Sequence, residues 1–247
     1  HKKFKIKFIS FKEINNLKKS IINYDYIINT SINKNYINKK YHKKFDNDFQ
    51  IANFLDPKKN TFIFFSSRKV YKSKGNIKEN DKLNPLSNYS KNKLITENLL
   101  KSKLKSNLLI LRISNIIGFK LKFRKNLHQT FVDLFYKEAK RGFIYDNANR
   151  FKDFLSVKKF GQILLMMIKK DLRGTYNVSI GKKVYLNQII NWLNRYNKKP
   201  LKIIKNKFIR NQDFYLNNKK LMSKIKIKNE LYELKSECLN LSKKMFN

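Results

Sequence analysis

Phe62-Ile63-Phe64-Phe65-Ser66-Ser67-Arg68-Lys69-Val70-Tyr71 is an apolar run that stops at two serines and two cations. Aromatic and β-branched residues in so short a run read as a strand over Thr61–Ser66. A strand of this kind in an open parallel sheet delivers its last residues to the carboxyl edge, where such sheets bind ligands. The hydroxyls of Ser66 and Ser67 therefore stand where a reactive or binding group is useful.

Downstream, Pro85 and Ser87 precede a helical stretch that carries Tyr89 and Lys93. Four residues apart on a helix, the two share a face one turn from each other. An ammonium beside the phenol favours the tyrosinate, which suits Tyr89 to acid/base work. The spacing alone decides nothing, because Tyr36/Lys40, Tyr136/Lys140 and Tyr215/Lys219 repeat it. Only the Tyr89 pair follows a strand ending in Ser-Ser and the approach Glu79, Pro85, Ser87.

Outward from this segment, short β-branched or aromatic runs alternate with longer amphipathic ones, the βαβ pattern of a parallel sheet covered by helices. Strands are expected at Phe4–Ile9, Tyr26–Asn29, Thr61–Ser66, Leu108–Ile113 and Thr175–Val178. Helices are expected near Phe11–Ile22, Phe45–Phe54, Asn88–Ser102, Leu127–Lys140, Val157–Lys169 and Leu186–Tyr196. The 247 residues are enough for one large domain with an appendage, and three prolines and six glycines leave no linker to divide them.

The formal net charge of +40 points at first to a polyanion partner. Only 8 of the 57 cationic residues are Arg, however, and the lysines run from Lys2 to Lys244 without gathering into a stripe. Compositional drift explains this better than a nucleic-acid surface, which would use the forked guanidinium. A single cysteine, Cys238, and the scattered His1, His42 and His128 exclude an internal disulfide and offer no metal-ligand spacing. The longest apolar stretch, Ile163–Ile168, is far short of a membrane span, so a cytoplasmic chain without membrane contact is expected.

Taken together these residues resemble the extended short-chain dehydrogenase/reductases, specifically their nucleotide-sugar epimerase/dehydratase/reductase group. The core of the resemblance is Ser66-Ser67-x-x-Val70-Tyr71, Glu79, Pro85-x-Ser87-x-Tyr89-x-x-x-Lys93 and Glu97. It continues in Leu111-Arg112-Ile113-Ser114-Asn115-Ile116-Ile117-Gly118, Lys152-Asp153-Phe154-Leu155-Ser156-Val157 and Gly174-Thr175-Tyr176-Asn177-Val178-Ser179-Ile180-Gly181. Upstream, Asp25-Tyr26-Ile27-Ile28-Asn29-Thr30-Ser31 is similar to the family's cofactor-lining strand, and Asn47 to the Asn that heads the next helix. The landmarks keep the family's order and cover nearly the whole chain.

The resemblance implies a Rossmann-like, doubly wound α/β fold. Residues 1–125 would form an NAD(P)-binding portion and 126–247 a mixed substrate-binding region that crosses back to the sheet near 143–180 and ends in a small α+β covering subdomain. Ser67, Tyr89 and Lys93 would be catalytic. Thr30, Ser31, Asn47, Ser66, Tyr89, Lys93 and Ile113 would line an NAD or NADP site, and Asn115 and Lys152 would hold a nucleotide-sugar. A homodimer is compatible with the family.

Two departures qualify this. The Gly-x-x-Gly-x-x-Gly turn that cradles a dinucleotide pyrophosphate has no counterpart. The first β-α-β portion is therefore expected to be missing, by truncation or degeneration, and the chain as it stands to bind NAD(P) poorly. Phe4–Ile9 would then be the strand before the Asp25 element. Lys152 replaces the family's Arg, keeping the charge but not the fork. Arg68-Lys69 stands where dehydratases of the group carry Asp-Glu, which argues against dehydration. C4 epimerisation or 4-keto-sugar reduction in cell-surface polysaccharide precursor synthesis remains, with an inactive scaffold or a polyanion-binding protein as alternatives.

Overall fold

The computed structural model describes residues 4–14, 21, 23–118, 130–205, 213–228 and 230–246. Its centre is a parallel sheet of four strands: β1 (Tyr26–Ile28), β2 (Thr61–Ser67), β3 (Leu108–Ile113) and β8 (Gly174–Val178), in that spatial order. Ile63 lies opposite Leu109, and Leu111 opposite Tyr176.

Alternation along the strands splits the apolar residues between two layers. Phe62, Phe64, Leu108 and Ile110 face one side, where they meet Ile51 and Ala52 of α2 (Asn47–Ala52) and Leu100 and Leu104 of α3 (Asn88–Leu104). Ile63, Leu109, Leu111 and Val178 face the other, packed on Ile163 and Met167 of α5 (Val157–Lys169) and on Leu221 and Ile225 of α7 (Lys219–Ile225). Both faces are covered, which is why β2 is apolar on both sides in the unbroken run Phe62–Phe65. A short helix α1 (Lys34–Asn38) flanks α3.

Beyond β3 a second core collects β4 (Asn115–Ile117), β7 (Phe154–Ser156), α4 (Phe131–Ala139), α6 (Leu186–Leu193) and α8 (Leu231–Phe246). Strand β4 pairs with β7, β5 (Phe143–Asp146) with β10 (Lys202–Lys205), and β6 (Phe151–Lys152) with β9 (Val184–Tyr185). The segment after Leu201 is shared between regions: α8 lies in this second core, while α7 packs against the central sheet.

Two expectations need correction, and two others fall partly outside the described residues. Phe4–Ile9 is not a strand: Ile6 and Phe8 are 71% and 93% exposed, and the segment joins no sheet. In the 3-2-1-4-5-6 order its counterpart is separated from β1 by two other strands, so among the described residues there is no ladder for it to join. The helix expected over Phe45–Phe54 breaks at Asp46, which caps α2 by accepting from the Phe49 amide at 3.0 Å; a single 3-10 turn, Lys43–Phe45, precedes it. Of the Phe11–Ile22 helix, the described start is a 3-10 turn at Phe11–Glu13 and most of the rest lies outside the described residues. The helix expected from Leu127 begins at Phe131, capped by Thr130, and residues 127–129 lie outside the described set.

Candidate functional site

At the carboxyl edge of the sheet a cleft of about 270 Å³ opens between the ends of β1, β2 and β3 and the first turns of α3. Residues 29–32 after β1, Phe65–Ser67 of β2, Ile113 and Ser114 at the end of β3, and Tyr89 and Lys93 of α3 line it. Seven of the residues singled out from the sequence are thus brought together: Thr30, Ser31, Ser66, Ser67, Tyr89, Lys93 and Ile113. Asn47 stands one layer behind, donating to the Ser31 hydroxyl at 2.9 Å. Asn115 and Lys152 do not line this cleft. Their backbones run close together, because β4–β7 pairing sets Asn115 opposite Phe154 and the Asn115 amide donates to the Asp153 carbonyl at 3.3 Å.

Helix α3 holds its end of the site firmly. Ser87 and Ser90 form a reciprocal capping box, each side chain serving the other's backbone amide, so the turn bearing Tyr89 is fixed. The Ser67 hydroxyl accepts from the Lys69 amide at 3.2 Å, capping the 3-10 turn Arg68–Val70 and leaving its O–H to donate into the cleft. Tyr89 is half-buried, with the Lys69 ammonium 5.7 Å from its ring centre.

Lys93 is almost fully buried and engaged. Its ammonium lies 3.5 Å from an Asp48 carboxylate oxygen and 4.5 Å from the ring centre of Phe64. Asn29 donates to the other Asp48 oxygen at 2.8 Å and accepts from the Ser31 amide and hydroxyl. Burial pushes the Asp48 carboxyl up, and Lys93 and Asn29 oppose that shift. Sequence reasoning missed Asp48 and Asn29. The available signal was that Asp48 directly follows the singled-out Asn47 in a chain with only 17 acidic residues.

Several landmark residues prove to be scaffolding. Ser66 donates to Glu97 at 2.5 Å, and Arg112 grips Glu97 in two bonds of 3.1 and 2.7 Å. Arg112 also donates to the Tyr71 hydroxyl at 2.8 Å, and Tyr71 donates to Asn177 at 2.9 Å. Glu79 accepts the Asn177 amide at 2.9 Å. This chain of bonds ties β2, α3, β3 and β8 together beneath the cleft. Asp153 does similar work beside it, accepting the backbone amides of Ile180, Gly181 and Leu216.

Past Ser67, outside the lining of the cleft, stands a group of cations. The Arg68 guanidinium lies 3.7 Å from the ring centre of Phe214; burial lowers the proton affinity of Arg68 and of Lys152, and the nearby Arg150 charge lowers both further. Arg150 is paired with Asp146 at 2.8 Å and Asp213 at 3.4 Å. Among the described residues no group of three or more His, Cys, Asp or Glu could hold a metal ion, and no helix is long and apolar enough to cross a membrane.

The model of the NAD dependent epimerase/dehydratase family matches residues 9–179. The chain belongs to that family. No curated protein matches its sequence closely. Solved structures share its fold at low identity. A UDP-N-acetylglucosamine 4-epimerase from Methanobrevibacter ruminantium M1, in complex with UDP-N-acetylmuramic acid, superposes with a TM-score of 0.72 at 19% identity, covering 92% of this chain and 78% of its own. WbmG from Bordetella bronchiseptica, in complex with NAD, gives 0.69 at 17%, with 95% and 77% covered. RMD from Pseudomonas aeruginosa, complexed with NADPH, gives 0.68 at 17%, with 90% and 81% covered.

Proposed function

We propose that the chain carries the substrate-side machinery of an NAD(P)-dependent nucleotide-sugar oxidoreductase, a C4 epimerase or 4-keto-sugar reductase that supplies precursors of cell-surface polysaccharide. The observation that carries this is the meeting of Ser67, Tyr89 and Lys93 in one cleft at the carboxyl edge of a parallel sheet. A nicotinamide cofactor, when bound, supplies the hydride carrier. The residues present suit its nicotinamide-ribose end, where Thr30, Ser31, Ile113, Tyr89 and Lys93 line the cleft. No glycine-rich turn in these 247 residues suits its pyrophosphate.

Tyr89 exchanges a proton with the sugar C4 oxygen, and Ser67 donates a hydrogen bond to the same oxygen as charge develops on it. Lys93 supports the phenol from one helical turn away, while Asp48 holds its ammonium in place. Asn115 and Lys152 steady the nucleotide-sugar. The related structures that carry NAD, NADPH or UDP-sugars support this reading.

A second reading is a scaffold that binds a nucleotide-sugar without turnover, in keeping with the lack of a Gly-x-x-Gly-x-x-Gly run in these 247 residues. The two separate in a cofactor titration. Tryptophan-to-NADH energy transfer should show weak binding, in the high micromolar range or above, and a millimolar excess should allow slow interconversion of UDP-glucose and UDP-galactose or reduction of a 4-keto nucleotide-sugar. Tight nucleotide-sugar binding with no trace of either reaction would instead establish the scaffold.

A further inference from the structure

Arg68 is a half-buried cation without an anion. Its Nε has no hydrogen-bond partner, and its flat face rests on Phe214, 3.7 Å from the ring centre. Every Asp and Glu of the chain falls among the described residues, and none forms an ion pair with it. Its charged neighbours make matters worse: burial lowers Arg68 to about 10, with Arg150 adding to the effect, and Lys69 and Lys152 are lowered by burial and then by the other cations. A shielded guanidinium N–H with no acceptor is costly and is relieved where a ligand brings it one.

The position says what that ligand is. Arg68 and Lys69 stand just outside the lining of the cleft, directly after Ser67, which belongs to it, and Lys69 places its ammonium 5.7 Å from the ring centre of the lining residue Tyr89. The pair therefore stands at the sugar end of the site, beside the groups proposed to touch the reacting oxygen. Lys152, with Arg150 already committed to Asp146 and Asp213, stands beyond and remains for the diphosphate. A guanidinium fork held flat on an aromatic ring suits a planar, two-oxygen anion.

We infer that the site takes a nucleotide-sugar whose sugar ring bears a carboxylate, read by Arg68 with Lys69 beside it. This rests on the nucleotide-sugar reading above and narrows it.

Isothermal titration of the 247-residue chain with UDP-glucuronate, UDP-glucose and UDP tests it, the readout being the ratio of the first two affinities. The wild-type ratio should favour the uronate by about tenfold or more, a difference of about 1.4 kcal/mol. Arg68→Gln should bring that ratio to within about twofold, Arg68→Lys should leave it in between, and Lys152→Gln should weaken both sugars while keeping the ratio. Circular dichroism checks that each variant is folded. A wild-type ratio near one, or an Arg68→Gln variant that weakens all three ligands by the same factor, would overturn the inference and assign Arg68 to the diphosphate. Failure of all three to bind would overturn the nucleotide-sugar reading along with it.

Discussion

Glu97 accepts two bonds from Arg112 and one from Ser66 while wholly out of water, and that arrangement shows why part of the sequence pattern is structural. A buried ion pair is expensive to form but more expensive to break. Glu97→Gln should lower unfolding free energy by about 3–5 kcal/mol, measured by urea denaturation, because Arg112 is left charged and half-satisfied. Asp153 adds a pH signature. Burial pushes its carboxyl up to about 7, so between about pH 4 and 7 the folded chain holds a proton that the unfolded chain releases. Its stabilising contribution is full below that window and lost as pH rises through it. Compared with Asp153→Asn, the wild type should lose at most about 1.4 kcal/mol per pH unit across the window. At this scale Ser67, Tyr89 and Lys93 were legible from pattern and context. Asp48, Asn29 and Arg68 were not, because a carboxylate's partner or a guanidinium's lack of one is a fact of three-dimensional placement.

Elements were legible where local pattern and tertiary demand coincide. Leu108–Ile113 and Val157–Lys169 appear with the bounds that their apolar runs suggest. Phe4–Ile9 has the alternation of a strand yet forms none, since a strand exists only beside a neighbour. Helix α8 went unread although Leu231, Leu234, Cys238 and Leu241 recur at helical spacing, because abundant Lys and Glu blur the contrast. The two-residue strands β6 and β9 carry too little sequence to be seen at all. The turn between β8 and α6 offers a test: Gly181 has φ +75°, and a Cβ there would meet the Asn218 side chain at 2.6 Å. Asn218 is itself anchored, donating to the Ser179 carbonyl at 3.0 Å. Gly181→Ala should cost about 1–3 kcal/mol, seen as a lower urea midpoint with unchanged slope.

For the molecule as a whole, the +40 charge acts more on stability than on the choice of function. With so few acids, mutual repulsion opposes the compact state, and salt relieves it. Raising NaCl from about 0.05 to 0.5 M should raise the melting temperature; a melting temperature that falls would mean that the few ion pairs dominate instead. The fold class and the cleft's location followed from the order of sequence landmarks, whereas the ligand's details depend on residues far apart in the chain, such as Arg68, Lys152 and Phe214, that meet only in the folded state. The central claim is that Tyr89 moves the proton at the sugar's reacting oxygen. Its most direct test compares wild type with Tyr89→Phe by NMR, at millimolar cofactor, following nucleotide-sugar conversion and binding in the same samples. The account predicts conversion in the wild type, a loss of about 10²-fold or more in the variant, and nucleotide-sugar affinity nearly unchanged. Equal conversion by the two proteins would contradict it.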